Sequence, residues 1–208
     1  MLLDFKKLIE KYDIPITGII QIGSNYAQED ELFNNIGIQN KIYIEPCQKA
    51  FKFLKEKFNQ VENVTLFNVA CGEKKEFKEM FVESQNGGAS NSFLKPKLHT
   101  ELFPHITFEE KEMVEVVKLD DLTFDRTKYS ILMMDCQGAE GFIIKGGTET
   151  LKTINFVYTE VLTAELYEDN FLINDLDVLL SDFKRAETSL TNFEYGDALY
   201  VRKNKKIL

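Results

Sequence analysis

The stretch of sequence that decides the fold is Gly18-Ile19-Ile20-Gln21-Ile22-Gly23-Ser24-Asn25. A short apolar run that ends at a glycine is typical of a buried parallel strand followed by a tight turn. Residues 27–36 then place apolar side chains three to four positions apart, which predicts a helix, and residues 41–45 predict a second strand. The segment therefore predicts one strand, helix and strand unit of a parallel sheet.

The same alternation continues outward from this unit. The apolar pattern predicts helices over 47–58, 139–145 and 174–181 and strands over 64–70, 129–135 and 155–160. Residues 183–190 and 198–202 predict an antiparallel pair at one sheet edge. The sequence thus predicts a doubly wound, Rossmann-like α/β fold with a mostly parallel sheet and an antiparallel C-terminal strand.

The length of 208 residues suits one domain with a full core, and we expect a single domain over 1–208. Residues 1–16 carry a short amphipathic pattern, which predicts a lead-in helix before the first strand. The long polar segment 83–112 interrupts the alternation, and we expect it to form a loop that contacts the substrate.

The composition limits the class of function. A net charge of −9 disfavours binding to nucleic acid, because phosphates are repelled by an acidic protein. No apolar run approaches the roughly 20 residues of a membrane-spanning helix, so we expect no membrane association. The three cysteines show no CxxC pair and indicate reduced thiols, and we expect a cytoplasmic protein.

The end of the first strand carries the first functional signal. Glu45 ends the second strand 22 residues after Gly23, close to the spacing of about 20 that places a carboxylate on the ribose of a bound nucleoside. The glycines of a G-x-G-x-x-G pyrophosphate cradle are missing, which disfavours a nicotinamide cofactor. S-adenosylmethionine has a ribose and no phosphate, and it fits this pattern. The alternative is that Gly23 only forms a turn and Glu45 is a surface acid.

Several further motifs occur in order along the chain: Ile44-Glu45-Pro46, Asn68-Val69-Ala70, Gly88-Ala89-Ser90-Asn91-Ser92, Leu119-Asp120-Asp121-Leu122, Met134-Asp135-Cys136-Gln137-Gly138-Ala139-Glu140 and Thr159-Glu160. Together with Gln21-Ile22-Gly23-Ser24-Asn25, this set resembles the FkbM-type methyltransferases over about residues 18–200. The resemblance implies a seven-stranded class I methyltransferase fold. It also implies transfer of a methyl group from S-adenosylmethionine to an oxygen, often a hydroxyl of a sugar or polyketide.

The resemblance also implies the residues that bind the methyl donor. Gly23, Ser24 and Asn25 would hold its methionine part, Glu45 its ribose, and Asn68, Val69 and Ala70 its adenine, with Gln21, Pro46, Ser92 and Asp135 completing the set. Two departures from the family pattern stand out. The family usually has Asp at the position of Gln21, and Lys where Met133 or Met134 precedes Asp135.

Asp135 and Glu160 end two predicted neighbouring strands, and both are expected to be catalytic. A hydroxyl is a poor nucleophile at neutral pH, so methyl transfer needs a base or a cation that acidifies the hydroxyl. We expect the two carboxylates to bind a divalent cation, Mg²⁺, Mn²⁺ or Ca²⁺. The alternative is a metal-free site in which Asp135 or a loop histidine, His105 or His99, takes the proton. His105 is the histidine that we predict to be catalytic.

The sequence as a whole favours an O-methyltransferase that acts on a hydroxyl of a sugar or glycan, with a deoxyhexose such as rhamnose or fucose as the narrower expectation. The alternative is a non-catalytic nucleoside-binding or protein-interaction module of the same fold. Only Gln21, in place of the usual acid, supports that alternative.

Overall fold

The computed structural model describes residues 1–15 and 17–203. Ile16, which ends the predicted lead-in segment, and residues 204–208, which end the predicted domain, lie outside the described residues. The helices are α1 (Phe5–Tyr12), α2 (Asp30–Asn35), α3 (Gln48–Lys57), α4 (Leu98–Leu102), α5 (Glu140–Gly146), α6 (Thr148–Leu151) and α7 (Ile173–Leu179). Among these helices none is long and apolar enough to cross a membrane.

The strands form two sheets. They are β1 (Gly18–Ile22), β2 (Asn40–Ile44), β3 (Val64–Phe67), β4 (Ala70–Cys71), β5 (Glu76–Val82), β6 (Glu110–Val117), β7 (Ile131–Met134), β8 (Phe156–Leu162), β9 (Phe183–Leu190) and β10 (Tyr195–Arg202). The central sheet has seven strands in the order β3-β2-β1-β7-β8-β10-β9. The smaller sheet has the order β4-β6-β5.

The direction of the strands confirms the predicted fold class. β3, β2, β1, β7 and β8 pair in parallel, and β10 is antiparallel to both of its neighbours, β8 and β9. The chain builds outward from β1 to β3 on one side and then crosses to β7 on the other side of β1. The strand order therefore reverses between β1 and β7, which is where open parallel sheets bind ligands.

The two faces of the central sheet carry separate apolar cores. On β1, Ile20 and Ile22 belong to one core cluster and Ile19 belongs to the other. All residues of β1 and β7 are buried, as expected for parallel strands covered by helices on both faces. These two strands are thus fixed on both sides, and their carboxyl ends form a firm base for a ligand site.

The predicted substrate loop, 83–112, contains more regular structure than its polar sequence indicates. α4 lies within it, and its last three residues, 110–112, belong to β6. The pairing of β5 with β6 extends to Val82 opposite Glu110. The pairing of the two strands continues into residues with charged side chains, because the cross-strand hydrogen bonds are made by the backbone.

Candidate active site

The carboxyl ends of β1, β2, β7 and β8 meet around a cavity of about 270 Å³. It lies at the reversal of strand order between β1 and β7. The predicted donor-binding residues that line it are Gln21, Gly23, Asn25, Glu45, Pro46, Ala70, Ser92 and Asp135. Glu160, which was predicted to be catalytic, also lines it. The structure therefore brings most of the predicted site to one place.

Three predicted donor-binding residues, Ser24, Asn68 and Val69, are not among the lining residues. Ser24 is buried in the turn after β1, and its hydroxyl donates to a carbonyl at the end of β2. The Asn68 amide donates to the backbone carbonyls of Glu45 and Pro46 at 2.9 and 3.0 Å. Val69 packs against the core. These residues fix the backbone that carries the cavity wall.

The turn after β1 requires glycine at position 23. Gly23 has a φ of 73°, in the left-handed region that favours glycine. A Cβ atom there would lie 2.0 Å from the carbonyl oxygen of Asp135. Any side chain at this position would push apart the ends of β1 and β7, which form the floor of the cavity.

Backbone N–H groups hold Glu45 from two sides. Its Oε2 accepts a hydrogen bond from Asn25 at 2.7 Å, and its Oε1 accepts one from Cys47 at 2.9 Å. The side chain is only 5% exposed, and burial raises the pKa of the carboxyl to about 7, although the two backbone bonds act to lower it. Each oxygen keeps a second lone pair, so the carboxylate can still accept bonds from two hydroxyl groups.

Gln21 brings an unsatisfied acceptor to the cavity. Its Nε2 donates to Oε2 of Glu29 at 3.0 Å. Its Oε1 is buried and has no hydrogen-bond partner within the described residues. A buried carbonyl without a partner costs roughly 1–3 kcal/mol. This part of the wall therefore favours a ligand that offers an N–H or O–H donor.

Three further carboxylates line the cavity. Asp135 follows β7, Glu160 lies within β8 rather than at its end, and Asp197 is the direct cross-strand partner of Glu160 on β10. Asp197 has donors of its own, because the Tyr158 hydroxyl and the Leu2 backbone N–H bind its Oδ2. Within residues 1–15 and 17–203, Asp135 and Glu160 have no such backbone donors and depend on a side chain.

That side chain is Gln137. Its Nε2 donates to Oδ1 of Asp135 at 2.7 Å and to Oε2 of Glu160 at 3.1 Å. Its Oε1 accepts a hydrogen bond from the Tyr167 hydroxyl at 2.7 Å. One amide thus links the two carboxylates that were predicted to be catalytic.

The surroundings of these two carboxylates change their acidity. Desolvation by the cavity walls raises the pKa of Asp135 to about 6, although the bond from Gln137 lowers it. Desolvation raises the pKa of Glu160 well above its usual value, and the charges of neighbouring carboxylates raise it further. Near neutral pH, Asp135 is therefore largely ionised, and Glu160 holds its proton more tightly than an ordinary glutamate does.

The sequence matches the Methyltransferase FkbM domain family over residues 21–195. The chain belongs to this family. A relative, the 2-O-methyltransferase NoeI of Sinorhizobium fredii (strain NBRC 101917 / NGR234), is 30% identical over 185 residues, which cover 85% of this chain and 75% of that protein. The structure is thus that of an FkbM methyltransferase, and the predicted family is confirmed.

Solved methyltransferase structures share the fold. Streptococcus pneumoniae Sp1610 in complex with S-adenosyl-L-methionine gives a TM-score of 0.55 at 13% identity and covers 100% of this chain and 76% of that one. Magnesium protoporphyrin IX methyltransferase from Synechocystis PCC 6803 with bound SAM gives 0.54 at 10% identity, with 95% and 76% covered. At such identities the likeness concerns the fold alone. Together with the family, it makes this protein an S-adenosylmethionine-dependent methyltransferase.

The cavity of this FkbM methyltransferase fits that donor. Gln21 offers an unsatisfied carbonyl beside the Glu29 carboxylate, and this pair suits an ammonium group. Glu45 offers two carboxylate oxygens to ribose hydroxyls. The carboxylate of Asp135 favours a positively charged sulfur over a neutral one. The polar groups of the wall thus match those of the donor.

The metal site predicted at Asp135 and Glu160 is not supported. Across residues 1–15 and 17–203, no group of three or more His, Cys, Asp or Glu side chains is arranged to hold a metal ion. The amide nitrogen of Gln137 lies between the two carboxylates, where a shared cation would bind. Since Mg²⁺, Mn²⁺ and Ca²⁺ prefer oxygen ligands and are repelled by N–H donors, these residues do not fit a divalent cation.

The histidines do not reach the cavity wall. His105, the predicted base, is exposed and lies against Phe103, with 6.5 Å between the ring centroids. His99 is buried, its Nε2 lies 3.2 Å from the Ser90 hydroxyl, and burial lowers its pKa. Neither histidine is among the residues that line the cavity.

Sequence reasoning missed two residues that matter here. Gln137 belonged to a recognised motif, but its spacing gave no reason to place it between two acids. Asp197 directly precedes the predicted strand 198–202, and β10 begins earlier, at Tyr195, so that Asp197 lies within the strand. Glu140, the last residue of that motif, accepts the backbone N–H of Cys136 at 2.7 Å and so closes the turn that presents Gln137.

Proposed function

We propose that this chain methylates a hydroxyl of a sugar or glycan, and more narrowly of a deoxyhexose such as rhamnose or fucose. The observation that carries the proposal is the Asp135 carboxylate on the wall of the donor cavity. Its Oδ1 is bound to Gln137, whereas its Oδ2 has no partner in the part of the chain that the structure describes. The activity in the name of the relative, a 2-O-methyltransferase, supports an oxygen acceptor.

The donor-binding roles are part of the same proposal. Gln21 and Glu29 bind the donor's ammonium group, Glu45 binds the ribose hydroxyls, and the turn at Gly23 and Asn25 lies against the methionine part. Pro46, Asn68, Val69 and Ala70 border the adenine, with Asn68 and Val69 acting through the backbone that they support. In this arrangement Glu29 supplies the carboxylate that the family usually has at the position of Gln21.

The base follows from the acidity of the site. When bound, S-adenosylmethionine supplies a methyl group on a positively charged sulfur, and an oxygen attacks this methyl group in line. Asp135 is ionised near neutral pH and accepts the acceptor's hydroxyl proton at Oδ2. The Glu160 carboxyl also lines the cavity and can form a hydrogen bond with a second hydroxyl of the acceptor. The chain thus contributes orientation and proton removal.

The charge of this wall favours a neutral, hydroxyl-rich acceptor. Asp135, Glu160 and Asp197 all line the cavity, and each offers acceptor oxygens to hydroxyl donors. The same carboxylates repel phosphates and carboxylates, as does the net charge of −9. The hydroxyl groups of a neutral sugar match these acceptor oxygens, whereas the phosphates of nucleic acid are repelled by them.

A transfer assay tests the acceptor. The protein is incubated with donor carrying a labelled methyl group and with a panel of rhamnosides, fucosides, other glycosides, tRNA and protein, and Asp135→Ala serves as the inactive control. We expect label in a methyl ether of a sugar, located by fragmentation of the product. Transfer to protein or nucleic acid alone would contradict the sugar acceptor.

A further inference from the structure

Tyr167 lies behind the cavity wall but is connected to the carboxylates in front of it. It is 1% exposed, does not line the cavity, and donates its hydroxyl to Oε1 of Gln137 at 2.7 Å. We propose that Tyr167 is a positioning residue that fixes the orientation of the Gln137 amide, so that its N–H₂ group stays on Asp135 and Glu160. This inference rests on the proposed role of Asp135 as the base.

The two carboxyl groups alone do not fix the amide. A glutamine amide can rotate about its last bond and exchange its oxygen with its nitrogen. When Glu160 is protonated, its hydroxyl can donate to the amide oxygen in the rotated arrangement. The oxygen would then also face the Asp135 carboxylate, and that carboxylate would lose its donor.

The hydroxyl of Tyr167 opposes this rotation. As a donor it selects an oxygen, and the amide oxygen of Gln137 at 2.7 Å is much nearer than the alternative acceptor, the Ser90 carbonyl, at 3.4 Å. In the observed arrangement, all the polar atoms of the amide have partners: two carboxylates on the nitrogen side and one hydroxyl on the oxygen side.

Gln137 and Tyr167 are each held in place by further contacts. The backbone of Gln137 has a φ of 51°, and its carbonyl accepts the Ser92 hydroxyl at 2.9 Å. The backbone N–H of Tyr167 donates to the Asn170 side chain at 2.9 Å, and its ring packs beside His99 at 5.4 Å between centroids. The hydroxyl and the amide therefore meet at a fixed distance, as orientation control requires.

The consequence is a change in acidity that turnover can report. The bond from Gln137 lowers the pKa of Asp135, so its loss raises that pKa. Because Asp135 accepts a proton only when it is ionised, kcat/KM falls on the acidic side of its pKa. Loss of the orientation therefore moves the acidic limb of the pH profile to higher pH, and the variant approaches the wild type again at alkaline pH.

Tyr167→Phe removes only the hydroxyl and tests the inference. We expect the acidic limb of kcat/KM to move up by about 0.5 to 1 pH unit, with a small change in donor affinity. Gln137→Met removes the bond itself and should move the limb at least as far. In a Gln137→Met background, Tyr167→Phe should add no further shift, because the two changes interrupt the same path.

Tyr200→Phe is the matched control. Tyr200 is equally buried at 1% exposure, and its hydroxyl donates at 2.9 Å to Asp177, which does not line the cavity. It should lower the melting temperature about as much as Tyr167→Phe and leave the pH profile unchanged. If Tyr167→Phe also lowers only the melting temperature, Tyr167 is structural and the inference is wrong.

A third variant separates this inference from the proposed function. Asp135→Asn should abolish turnover while the protein still binds the donor. Full turnover of Asp135→Asn would overturn the assignment of the base, whatever Tyr167→Phe does. An inactive Asp135→Asn together with an unshifted profile for Tyr167→Phe would overturn only the role of Tyr167.

Discussion

The cavity wall carries two sets of carboxylates, which are held in different ways. In the first, Glu45 accepts two backbone N–H bonds at 2.7 and 2.9 Å. In the second, Asp135 and Glu160 share a single side-chain amide, and Asp197 lies opposite Glu160 in the neighbouring strand. A carboxylate held by the backbone is a fixed acceptor that suits binding. Carboxylates that share one donor keep free lone pairs, which suits a proton transfer.

The two sets of carboxylates also differ in what determines their positions. The donors of Glu45 belong to turns fixed by β1 and β2, so its position follows from the main chain. The position of Asp135 depends on a side chain, Gln137, and through it on Tyr167. We therefore expect substitutions along the cavity wall to separate donor binding from turnover.

Asp135→Ala should give the largest effect. Loss of a general base typically lowers the rate 10²–10⁴-fold, and we expect turnover to fall by about 10³-fold. Donor affinity, measured by calorimetry, should change by less than about tenfold, because the proposed role of Asp135 is to accept the proton of the acceptor rather than to bind the donor. Comparable losses in binding and turnover would show that the two sets of carboxylates are not functionally distinct.

Glu45→Ala should give the converse result. It removes an acceptor of two ribose hydroxyls, whose charge-assisted bonds are worth roughly 1.5 to 3 kcal/mol each at most. Donor affinity should fall at least about tenfold. Turnover at saturating donor should change far less than in Asp135→Ala. An unchanged dissociation constant for the donor would place the ribose elsewhere.

The pH dependence of donor binding sharpens the comparison. The pKa of Glu45 is raised to about 7, mainly by burial, so the group loses its charge as the pH falls below 7. An ionised carboxylate accepts two hydroxyl bonds and a protonated one offers fewer acceptor sites, so donor affinity should decrease from pH 8 to pH 6, by about tenfold at most.

Two variants control this pH dependence. Glu45→Gln should remove it, because the amide does not titrate. Glu112→Gln should move it to lower pH, because the charge of Glu112 contributes to the raised pKa of Glu45. A profile that is the same in all three proteins would assign the titration to another group, such as Asp135.

The local part of this architecture could be predicted from sequence. Short apolar runs, the first of which ends at a glycine, predict β1 and β2. The spacing of Gly23 and Glu45 along the sequence predicts that both residues reach one cavity. These signals lie within a short segment, so no long-range pairing had to be known. The fold class and the pair Gly23 and Glu45 follow from such segments, whereas the other predicted residues of the donor wall rest on the resemblance to the FkbM family.

The second set of carboxylates could not be predicted in the same way, because its contacts join distant parts of the chain. Asp197 faces Glu160 only through the register of β10 on β8. The bond from Tyr167 to Gln137 spans 30 residues and depends on two irregular turns. From sequence alone, Asp135 and Glu160 are equally compatible with a bound metal ion and with a shared hydrogen-bond donor. The location of Gln137 in the structure distinguishes the two interpretations.

The smallest effect is expected from removal of divalent ions, and it decides between these two interpretations of the carboxylate pair. Because the Gln137 amide already links Asp135 and Glu160, exhaustive chelation should leave turnover within about twofold of the untreated enzyme. Glu160→Gln should then respond to added Mg²⁺, Mn²⁺ or Ca²⁺ no more than the wild type does. A loss of turnover that added metal restores, together with a higher metal requirement in Glu160→Gln, would instead show that a cation displaces the amide during catalysis. In that case the orientation seen here would belong to the metal-free protein alone, and the contrast between backbone-held and amide-held carboxylates would not describe the active enzyme.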